Sequence, residues 1–588
     1  MSLSRINYFL CLKLLRAFQR YGLEHIVLCP GSRSAPLALA VGALIEESGI
    51  NAYTAIDERS AAFMAIGISA ASGKATIVIT TSGTAVSNLL PAAVEADRSC
   101  LPIIFITADR PLRLKGCGSN QTVNQEDFLV PVCREVFNCP SIGLHEISGR
   151  SFFTLVKKTW EKAHAYPGPV HLNIPIEEPL HASFLEQKEV CNGWKPLNFE
   201  EIQLPISTVS TNTRIKTKEV PELDPSQPGI ILAGPWRGKP SQLLGFRKAV
   251  KEFQSFTGWP LFADCLSAIT IKQSGLISFW ELLISAQIFE SNDKLQVLRL
   301  GPLSCSRALE SFLRNTNKKQ VLITEGEERY LDPLHLAKQY SGGLQSWLKI
   351  FKSNYPNLNN NLVNDDTNIL EDLLNKNQLV GDLVDKYLKE DSKITEPSIA
   401  RKLLDLIPED IPIMLSASSP VRDFLAYSGF SPFKRRLYSF RGASGIDGNL
   451  SLAIGLSIFL GPLVVVCGDL AFLHDSNALL LNQPKKYPLI ILLIDNNGGG
   501  IFKQLSLAPI FKGSVDKLFS MPQSINIGDL AKAHNIPFRT ISSFDELNSA
   551  LEWSLKLSGP VIIRACTNSE EDTLLRKNIT DGLKKYIN

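Results

Sequence analysis

The feature that most constrains this fold is a series of short, almost wholly apolar runs separated by helical patterns. The purest of these runs are residues 463–467 and 489–494. A strand that is apolar on both faces belongs in a parallel sheet that helices cover on both sides. The same alternation continues along most of the 588 residues. The sequence therefore predicts an α/β protein built from doubly wound parallel sheets.

A chain of this length is too long for one hydrophobic core, and its composition divides it into three α/β domains. The first spans 1–185, and the stretch 186–228, rich in proline, threonine and serine, indicates a linker. A central domain over 229–390 ends in an Asn-rich stretch, 354–368, and a helical connector. The last domain is 391–588.

The secondary structure predicted within these domains is defined mainly by the apolar runs. Helices are predicted at 8–18, 59–72 and 85–96. The predicted strands are 25–29, 76–80, 102–107 and 169–174 in the first domain, 296–300 and 320–324 in the second, and 412–415, 462–467, 488–494 and 560–565 in the last.

Composition and charge exclude several classes of protein. The net charge is +3 without a basic run, which does not suggest a nucleic-acid partner. No apolar run is long enough to span a bilayer, and Lys13 and Arg16 interrupt the N-terminal one, so we expect an amphipathic helix rather than a signal peptide. The 11 cysteines are scattered, as free thiols of a reducing compartment are. We expect a cytoplasmic protein.

Two polar motifs follow neighbouring apolar strands near the C-terminus. Gly468-Asp469-Leu470 follows one strand, and DNNGGG (495–500) follows the next. Both motifs should reach the carboxyl edge of one sheet, where doubly wound sheets bind ligands. The Asp469 carboxylate, the Asn496 amide oxygen and a backbone carbonyl, assigned to Gly498, would form an oxygen site for Mg²⁺ or Mn²⁺. Asn497 is the alternative ligand, and either motif alone could be a simple turn.

This pair of motifs resembles the signature of thiamine diphosphate enzymes, with Leu470 where most of them have glycine or alanine. The resemblance implies a glutamate, just before a helix of the first domain, that hydrogen-bonds the aminopyrimidine of the cofactor. Glu58 has that position, although Asp57 and Glu58 could also be acids favoured by the helix dipole. It further implies a cofactor shared between two subunits, hence a homodimer or a homotetramer.

Further motifs resemble one family of these enzymes. They are CPGSRSAPL (29–37), TTSGTA (80–85), TADRP (107–111), GCGSNQ (116–121), RGASGIDG (441–448) and NNGGGIF (496–502). The family is the 2-succinyl-5-enolpyruvyl-6-hydroxy-3-cyclohexene-1-carboxylate synthases, or MenD. It implies decarboxylation of 2-oxoglutarate and 1,4-addition of the succinyl carbanion to isochorismate, a C–C bond-forming transferase reaction of menaquinone or phylloquinone biosynthesis.

The resemblance also implies roles for individual residues. Both substrates are dicarboxylates, which arginine binds with two parallel hydrogen bonds. The residues expected around isochorismate are Ser32, Arg33, Arg110, Asn120 and Gln121. Those expected around the 2-oxoglutarate-derived part are Ser418, Arg422 and Arg441, with Ile501, Phe502 and Leu505 as an apolar wall. Those expected around the cofactor are Glu58, Ser418, Ile446, Gly468, Asp469, Leu470, Asn496 and Ile501.

Two other functions stay open on the sequence alone. An acetolactate synthase or a 2-oxo acid decarboxylase shares the cofactor motifs, but a pyruvate enzyme would not need the arginines at 33 and 441. A catalytically inactive cofactor-binding regulator is the second alternative, and the intact Glu58, Asp469 and Asn496 argue against it. A nicotinamide dehydrogenase lacks support, because no complete G-x-G-x-x-G follows an early strand.

Overall fold

The computed structural model divides the chain into two compact units. The first unit is Met1–Arg214, Phe440–Gly461 and His474–Pro484, and the second is Ile215–Ser439, Pro462–Leu473 and Lys485–Asn588. The structure describes residues 2–193, 220–269, 274–289, 295–316, 319–356, 366–389, 393–429, 435–481, 486–505, 514 and 516–587. Much of the predicted linker (194–219) and of the Asn-rich stretch (357–365) lies outside the described residues. The predicted domain boundaries stay predictions.

The first sheet has six parallel strands in the order β2-β1-β3-β4-β6-β5. Its strands are β1 (His25–Leu28), β2 (Asn51–Thr54), β3 (Thr76–Thr80), β4 (Ile103–Asp109), β5 (Val136–Asn138) and β6 (Pro169–Pro175). Its helices are α1 (Leu3–Arg20), α2 (Ala35–Ser48), α3 (Glu58–Ser72), α4 (Thr84–Ser87), α5 (Leu90–Ser99), α6 (Gly149–Ala165) and α7 (Phe184–Asn192). The strands β1, β3, β4 and β6 are buried throughout, as the apolar runs predicted.

The second and third sheets lie in the second unit and are also parallel. The second sheet comprises β7 (Gly229–Ala233), β8 (Leu261–Ala263), β9 (Gln296–Leu300), β10 (Gln320–Ile323) and β11 (Ala337–Tyr340). The third comprises β12 (Ile413–Leu415), β13 (Leu437–Tyr438), β14 (Leu463–Gly468), β15 (Pro488–Asp495), β16 (Phe538–Ile541) and β17 (Gly559–Cys566), in the order β13-β12-β14-β15-β17-β16.

The remaining helices follow along the chain. They are α8 (Leu243–Thr257), α9 (Trp280–Ser285), α10 (Arg307–Arg314), α11 (Leu344–Asn354), α12 (Asp366–Lys389), α13 (Glu396–Leu406), α14 (Ser419–Tyr427), α15 (Asn449–Leu460), α16 (Asp469–His474), α17 (Ile527–Ala533), α18 (Phe544–Ser554) and α19 (Ser569–Ile587). None of the helices in the described parts is long and apolar enough to cross a membrane. The three parallel sheets with their helices confirm the predicted fold class.

One predicted helix is wrong in its extent. The segment 85–96 forms two helices, α4 and α5, with Asn88 and Leu89 between them. Pro91 lies in the first turn of α5. Proline has no backbone N–H to continue a preceding helix, but it fits the first turn of a new one. The break therefore follows from the proline at 91.

A close helix crossing within the first unit depends on two glycines. A Cβ added at Gly67 of α3 would lie 2.3 Å from the carbonyl oxygen of Leu452, and one at Gly455 of α15 would lie 2.0 Å from that of Met64. No side chain fits at either distance, so the backbones of α3 and α15 pack directly against each other. This contact fixes α3, the helix that Glu58 begins.

Candidate functional site

Glu58 lies at the N-terminus of α3, half-buried, after a well-formed helix cap. The Asp57 side chain accepts hydrogen bonds from the backbone N–H groups of Arg59 (2.9 Å) and Ser60 (3.3 Å). The Asn88 amide donates to Glu58 Oε2 at 3.3 Å. Because Asp57 satisfies the helix terminus, the Glu58 carboxylate is not needed for capping and remains available for other chemistry.

Two residues of the predicted isochorismate side meet at Ser82. Arg110 donates to the Ser82 hydroxyl at 3.0 Å, and the Gln121 amide donates to the Ser82 carbonyl at 2.9 Å. Gln121 has a φ of +54°, which turns its backbone sharply beside Gly83. The neighbouring Asn120 is exposed. The sequence assigned Arg110 and Gln121 to one site only through the resemblance to a known family. In the structure both residues contact Ser82.

Arg33 lies near Arg110 but is engaged inside the protein. It is 4% exposed, and it donates to the Ile176 carbonyl at 2.8 Å and to the Glu178 carboxylate at 2.7 Å. Burial and the neighbouring Arg33 guanidinium lower the pKa of Arg110. Two guanidinium groups this close favour binding of an anion, which would relieve their repulsion. Ser32, one residue before, is exposed.

A buried polar network that the sequence did not predict supports this edge. Gln125 accepts from the Gly83 N–H at 3.0 Å and donates to Asn173 Oδ1 at 2.8 Å. Thr107 bonds both Asn173, at 2.9 Å, and His171, at 2.7 Å. Gln125 is the residue that ties the Ser82–Gly83 turn to the sheet. Its position four residues after Gln121 gave no signal, because an isolated glutamine is usually exposed.

The loop that carries Arg441 and Ile446 is held by Glu95, a residue that the sequence did not predict for the site. Glu95 of α5 is 4% exposed and accepts three backbone N–H groups of that loop, those of Gly442 (2.9 Å), Ala443 (2.7 Å) and Ser444 (3.2 Å). Arg441 is half-buried, and the Ile446 side chain is 38% exposed. The carboxylate therefore sets the path of the loop on which both predicted site residues lie.

In the second unit, Asp469 stands at the carboxyl end of β14, as predicted. It is 7% exposed, and its Oδ2 accepts from the Gly498 N–H at 2.6 Å while Oδ1 accepts from the Leu470 N–H at 2.7 Å. Burial, opposed by the Gly498 N–H and assisted by the nearby Asp495 carboxylate, raises the pKa of Asp469 to about 7. A cation at this carboxylate would offset the cost of burying its charge.

Asn496, at the end of the adjacent strand β15, presents an unused acceptor beside Asp469. Its amide nitrogen donates to the buried Glu396 carboxylate. Its Oδ1 is buried and has no hydrogen-bond partner among the described residues. A buried carboxylate, an unpartnered amide oxygen and the backbone of a Gly-rich turn suit the oxygen ligands of Mg²⁺. A divalent ion therefore fits the residues present.

The turn after Asn496 needs glycine for steric reasons. Gly498 has a φ of +121°, and a Cβ there would lie 2.1 Å from the Ser520 carbonyl oxygen. In contrast, a Cβ at Gly468 would meet no atom within 4 Å. Nowhere in the described residues do three His, Cys, Asp or Glu side chains cluster as a metal site. A metal ion here would depend on the two side chains, Asp469 and Asn496, and on the backbone.

The other predicted residues of the second unit lie on two segments. Ser418 precedes α14 with a φ of +76°, and the exposed Arg422 donates to its carbonyl at 2.6 Å. Ile501, Phe502 and Leu505 lie in or next to the short helix Gly500–Gln504, where the Phe502 ring packs 5.5 Å from that of Phe519. Glu58 belongs to the first unit and Asp469 to the second. Their predicted meeting at one cofactor stays a prediction.

Comparison with known proteins points to one class of enzyme. Residues 13–128 match the model of the N-terminal TPP binding domain of thiamine pyrophosphate enzymes, and residues 423–565 match that of the C-terminal TPP binding domain. The first match contains Glu58, and the second contains Asp469 and Asn496. Both halves of the predicted cofactor site therefore lie within recognised cofactor-binding domains.

Full-length relatives carry a more specific name. A protein of Prochlorococcus marinus (strain NATL2A) is 48% identical over 590 residues, covering 100% of this chain and 98% of its own. One of Synechococcus sp. (strain CC9902) is 48% identical over 568 residues, covering 95% and 97%. One of Parasynechococcus marenigrum (strain WH8102) is 45% identical over 564 residues, covering 95% and 98%. All three are named 2-succinyl-5-enolpyruvyl-6-hydroxy-3-cyclohexene-1-carboxylate synthase.

Proposed function

The chain belongs to the 2-succinyl-5-enolpyruvyl-6-hydroxy-3-cyclohexene-1-carboxylate synthases, and on that basis we propose that it decarboxylates 2-oxoglutarate and joins the succinyl unit to isochorismate. The full-length relatives carry the choice of substrates, and the structural observation that supports the cofactor site is the unpartnered Asn496 oxygen after β15, the strand adjacent to the one that ends at the buried Asp469 carboxylate. The reaction is a thiamine diphosphate-dependent transfer that forms a C–C bond in menaquinone biosynthesis. Phylloquinone is the alternative end product.

The cofactor would be held at both ends by residues of this chain. Asp469, Asn496 and the Gly498 carbonyl would hold Mg²⁺ or Mn²⁺ against its diphosphate. Bound thiamine diphosphate supplies an electron sink for the decarboxylation. The Glu58 carboxylate would share a proton with the pyrimidine ring, and Ile446 would contact the cofactor as an apolar support. Gly468, Leu470, Ser418 and Ile501 would complete the cofactor contacts.

The arginines would orient the two dicarboxylate substrates. Arg110, beside Arg33 and Ser82, would bind a carboxylate of isochorismate through charge-assisted hydrogen bonds. Ser32, Asn120 and Gln121 would complete that side. Arg422 and Arg441 would bind the carboxylate of the part derived from 2-oxoglutarate, against the apolar Phe502 and Leu505.

A purified-protein assay tests the proposal. CO₂ release from 2-oxoglutarate is measured with and without isochorismate, thiamine diphosphate and Mg²⁺, and pyruvate replaces 2-oxoglutarate as the comparison. We expect fast turnover only with both substrates and both cofactors. Turnover of pyruvate would instead support an acetolactate synthase or a decarboxylase. Cofactor binding without any turnover would support an inactive regulator.

Glu58→Gln tests the activating acid. The amide cannot share a proton as a carboxylate does, so turnover should be lost while the diphosphate still binds. Calorimetric titration with thiamine diphosphate at saturating Mg²⁺ measures the binding. A near-normal rate in this variant would show that Glu58 is not the activating acid.

The site is proposed to be shared between two subunits of a homodimer, or of a homotetramer built from dimers. Two inactive variants, Glu58→Gln and Asp469→Asn, can be unfolded together and refolded as a mixture. If each site takes its glutamate from one subunit and its aspartate from the other, about one quarter of the wild-type activity should return. No recovery would place both residues of a site in one subunit.

The reaction is proposed to occur in the cytoplasm. No disulfide joins any of the eleven cysteines, all of which lie in the described residues, and this is the usual state in a reducing compartment. Fractionation of cells producing the tagged protein tests this location.

A further inference from the structure

We propose that Glu396 is a positioning residue that fixes the side-chain amide of Asn496 with its oxygen directed at the divalent ion. The inference rests on the proposed function, because it assumes that Asn496 is a metal ligand. Glu396 lies one hundred positions before Asn496 in the sequence, in a helix for which the sequence predicted no site residue.

The two ends of an asparagine amide differ in their hydrogen-bonding chemistry. One end is an NH₂ that only donates, and the other is an oxygen that only accepts. A metal ion binds the oxygen end, so an amide turned the wrong way loses its ligand atom and faces the ion with hydrogens. Something must therefore select one of the two orientations before the metal binds.

Glu396 can make that selection because an ionised carboxylate only accepts hydrogen bonds. It is the first residue of α13 and is 2% exposed, and its Oε1 accepts from Asn496 Nδ2. With the nitrogen held there, Asn496 Oδ1 faces away, buried and without a hydrogen-bond partner among the described residues. The reversed amide would place an oxygen against a carboxylate, which is repulsive.

Contacts with Arg576 and Asp572 of α19 hold Glu396 in place. Arg576 of α19 donates to Glu396 Oε2 at 2.5 Å and to both oxygens of Asp423, at 2.9 and 2.7 Å. The Glu396 backbone N–H donates to Asp572 at 3.2 Å. A buried carboxylate without a cation would be costly, and Arg576 supplies that cation to Glu396. Partners of this kind set the orientation of metal ligands in other sites.

The competing role for Glu396 is purely structural. It could serve only to join α13 to α19 through Arg576, with the contact to Asn496 incidental. The two roles differ in what they predict for metal affinity, which can be measured without turnover. The probe is Mn²⁺ in the presence of saturating thiamine diphosphate, with free Mn²⁺ quantified by electron paramagnetic resonance.

Glu396→Gln is the first variant. Glutamine can both donate and accept, so it tolerates either orientation of the Asn496 amide, and we expect Mn²⁺ affinity to fall roughly 10-fold. The matched control is Asp385→Asn, which removes a carboxylate paired with Arg401 of the same helix, α13; its Mn²⁺ affinity should stay within about twofold of wild type. Equal affinity in Glu396→Gln and wild type would overturn the inference.

Asn496→Asp gives a test in which the sign of the effect reverses. An aspartate has no amide to orient, and it would lie against the Glu396 carboxylate and be repelled by it. Adding Glu396→Gln in that background removes the repulsion and offers a donor, so the double variant should bind Mn²⁺ more tightly than Asn496→Asp alone. A purely structural role predicts that Glu396→Gln changes Mn²⁺ affinity in the same direction, or not at all, in both backgrounds, and that outcome would overturn the inference.

Two further measurements keep the outcome decisive. If far-UV circular dichroism shows that Glu396→Gln does not fold, Glu396→Asp replaces it, since it keeps the charge facing Arg576 but retracts the carboxylate from Asn496. Weaker Mn²⁺ binding is again expected, and unchanged binding would contradict the inference. Failure of the wild-type protein to bind Mn²⁺ with the cofactor would refute the proposed metal site itself, which is a different result.

Discussion

The carboxyl edges of the first and third sheets are built alike but carry opposite chemistry. At the first edge, Arg110 and Arg33 present cations, and the buried amides of Gln125 and Asn173 satisfy each other. At the third edge, the groups after β14 and β15 are mostly acceptors, and the Asn496 oxygen has no partner in the described part of the chain. Among the buried atoms without a partner in the described residues, the first edge has a donor, Arg33 Nε, whereas the third has an acceptor, Asn496 Oδ1.

The difference would allow one scaffold to bind two kinds of ligand, as proposed above. Parallel strands bring their ends to a common edge, which fixes where side chains converge but not their charge. Charge then decides the ligand, because guanidinium pairs favour carboxylates and oxygen clusters favour divalent ions. The two edges should therefore respond to different substitutions.

The largest effect is expected from removing the charge at the third edge. Asp469→Asn leaves a neutral amide where the buried carboxylate stood, so turnover should fall by at least roughly 100-fold, beyond the loss typical of a partner of a metal ligand. Steady-state rates over a range of Mg²⁺ concentrations measure this. Asp529→Asn is the control, because Asp529 is an exposed acid in the first turn of α17, and it should leave turnover near that of wild type. Similar losses of turnover in the two variants would contradict the role proposed for Asp469.

An intermediate effect is expected at the first edge. Arg110→Met keeps the length of the side chain but loses its charge-assisted hydrogen bonds, so kcat/KM for isochorismate should fall about 10- to 100-fold. The corresponding value for 2-oxoglutarate in the decarboxylation step alone should change little. Arg113→Met is the control, since Arg113 forms an exposed ion pair with Glu177. A loss that affected both substrates equally would mean that this edge does not discriminate between them.

The smallest effect is expected in the buried network beneath the first edge. Burial lowers the pKa of His171 to about 3, below its value of about 6.5 in an unfolded chain. The unfolded state therefore binds more protons between those values, and stability is full above pH 6.5 and is lost as the pH falls. At pH 5 the loss should be about 2 kcal/mol.

His171→Gln should remove this dependence. Urea unfolding of the variant at pH 5 and pH 7.5 should show a smaller difference in stability than wild type does. His181→Gln, which changes an exposed histidine, should leave the difference as it is. An identical pH dependence in wild type and His171→Gln would show that the histidine is not what makes this edge acid-sensitive.

The sequence predicted most of the central strands, with β7 as an exception, and none of the strands at the sheet edges. The predicted strands 76–80 and 296–300 coincide with β3 and β9. Strands at or near the sheet edges, such as β2, β13 and β16, were not predicted. They are short or partly exposed, so they lack the continuous apolar run that marks a strand buried on both faces.

The residues of the candidate site also divide into those that the sequence predicted and those that it did not. The placement of Asp469 and Asn496 at neighbouring strand ends followed from the alternation of strands and helices. The partners that hold site residues, Glu396, Gln125 and Glu95, could not be predicted. Each acts across a long sequence separation or through burial, and a polar residue gives no local sign of becoming buried. Sequence motifs predict which residues contact a ligand, whereas the residues that hold them in place are found only in the folded chain.

The crossing of α3 and α15 has a consequence for how this protein can change over time. Gly67 and Gly455 each leave room for the other helix's backbone, so a mutation at one cannot be rescued by trimming the other, which is already the smallest residue. Both positions are closed to gradual substitution. The position of the helix that starts at Glu58 therefore depends on two residues that have no side chain. A protein that changed this helix crossing would also have to change the residues that pack around Glu58.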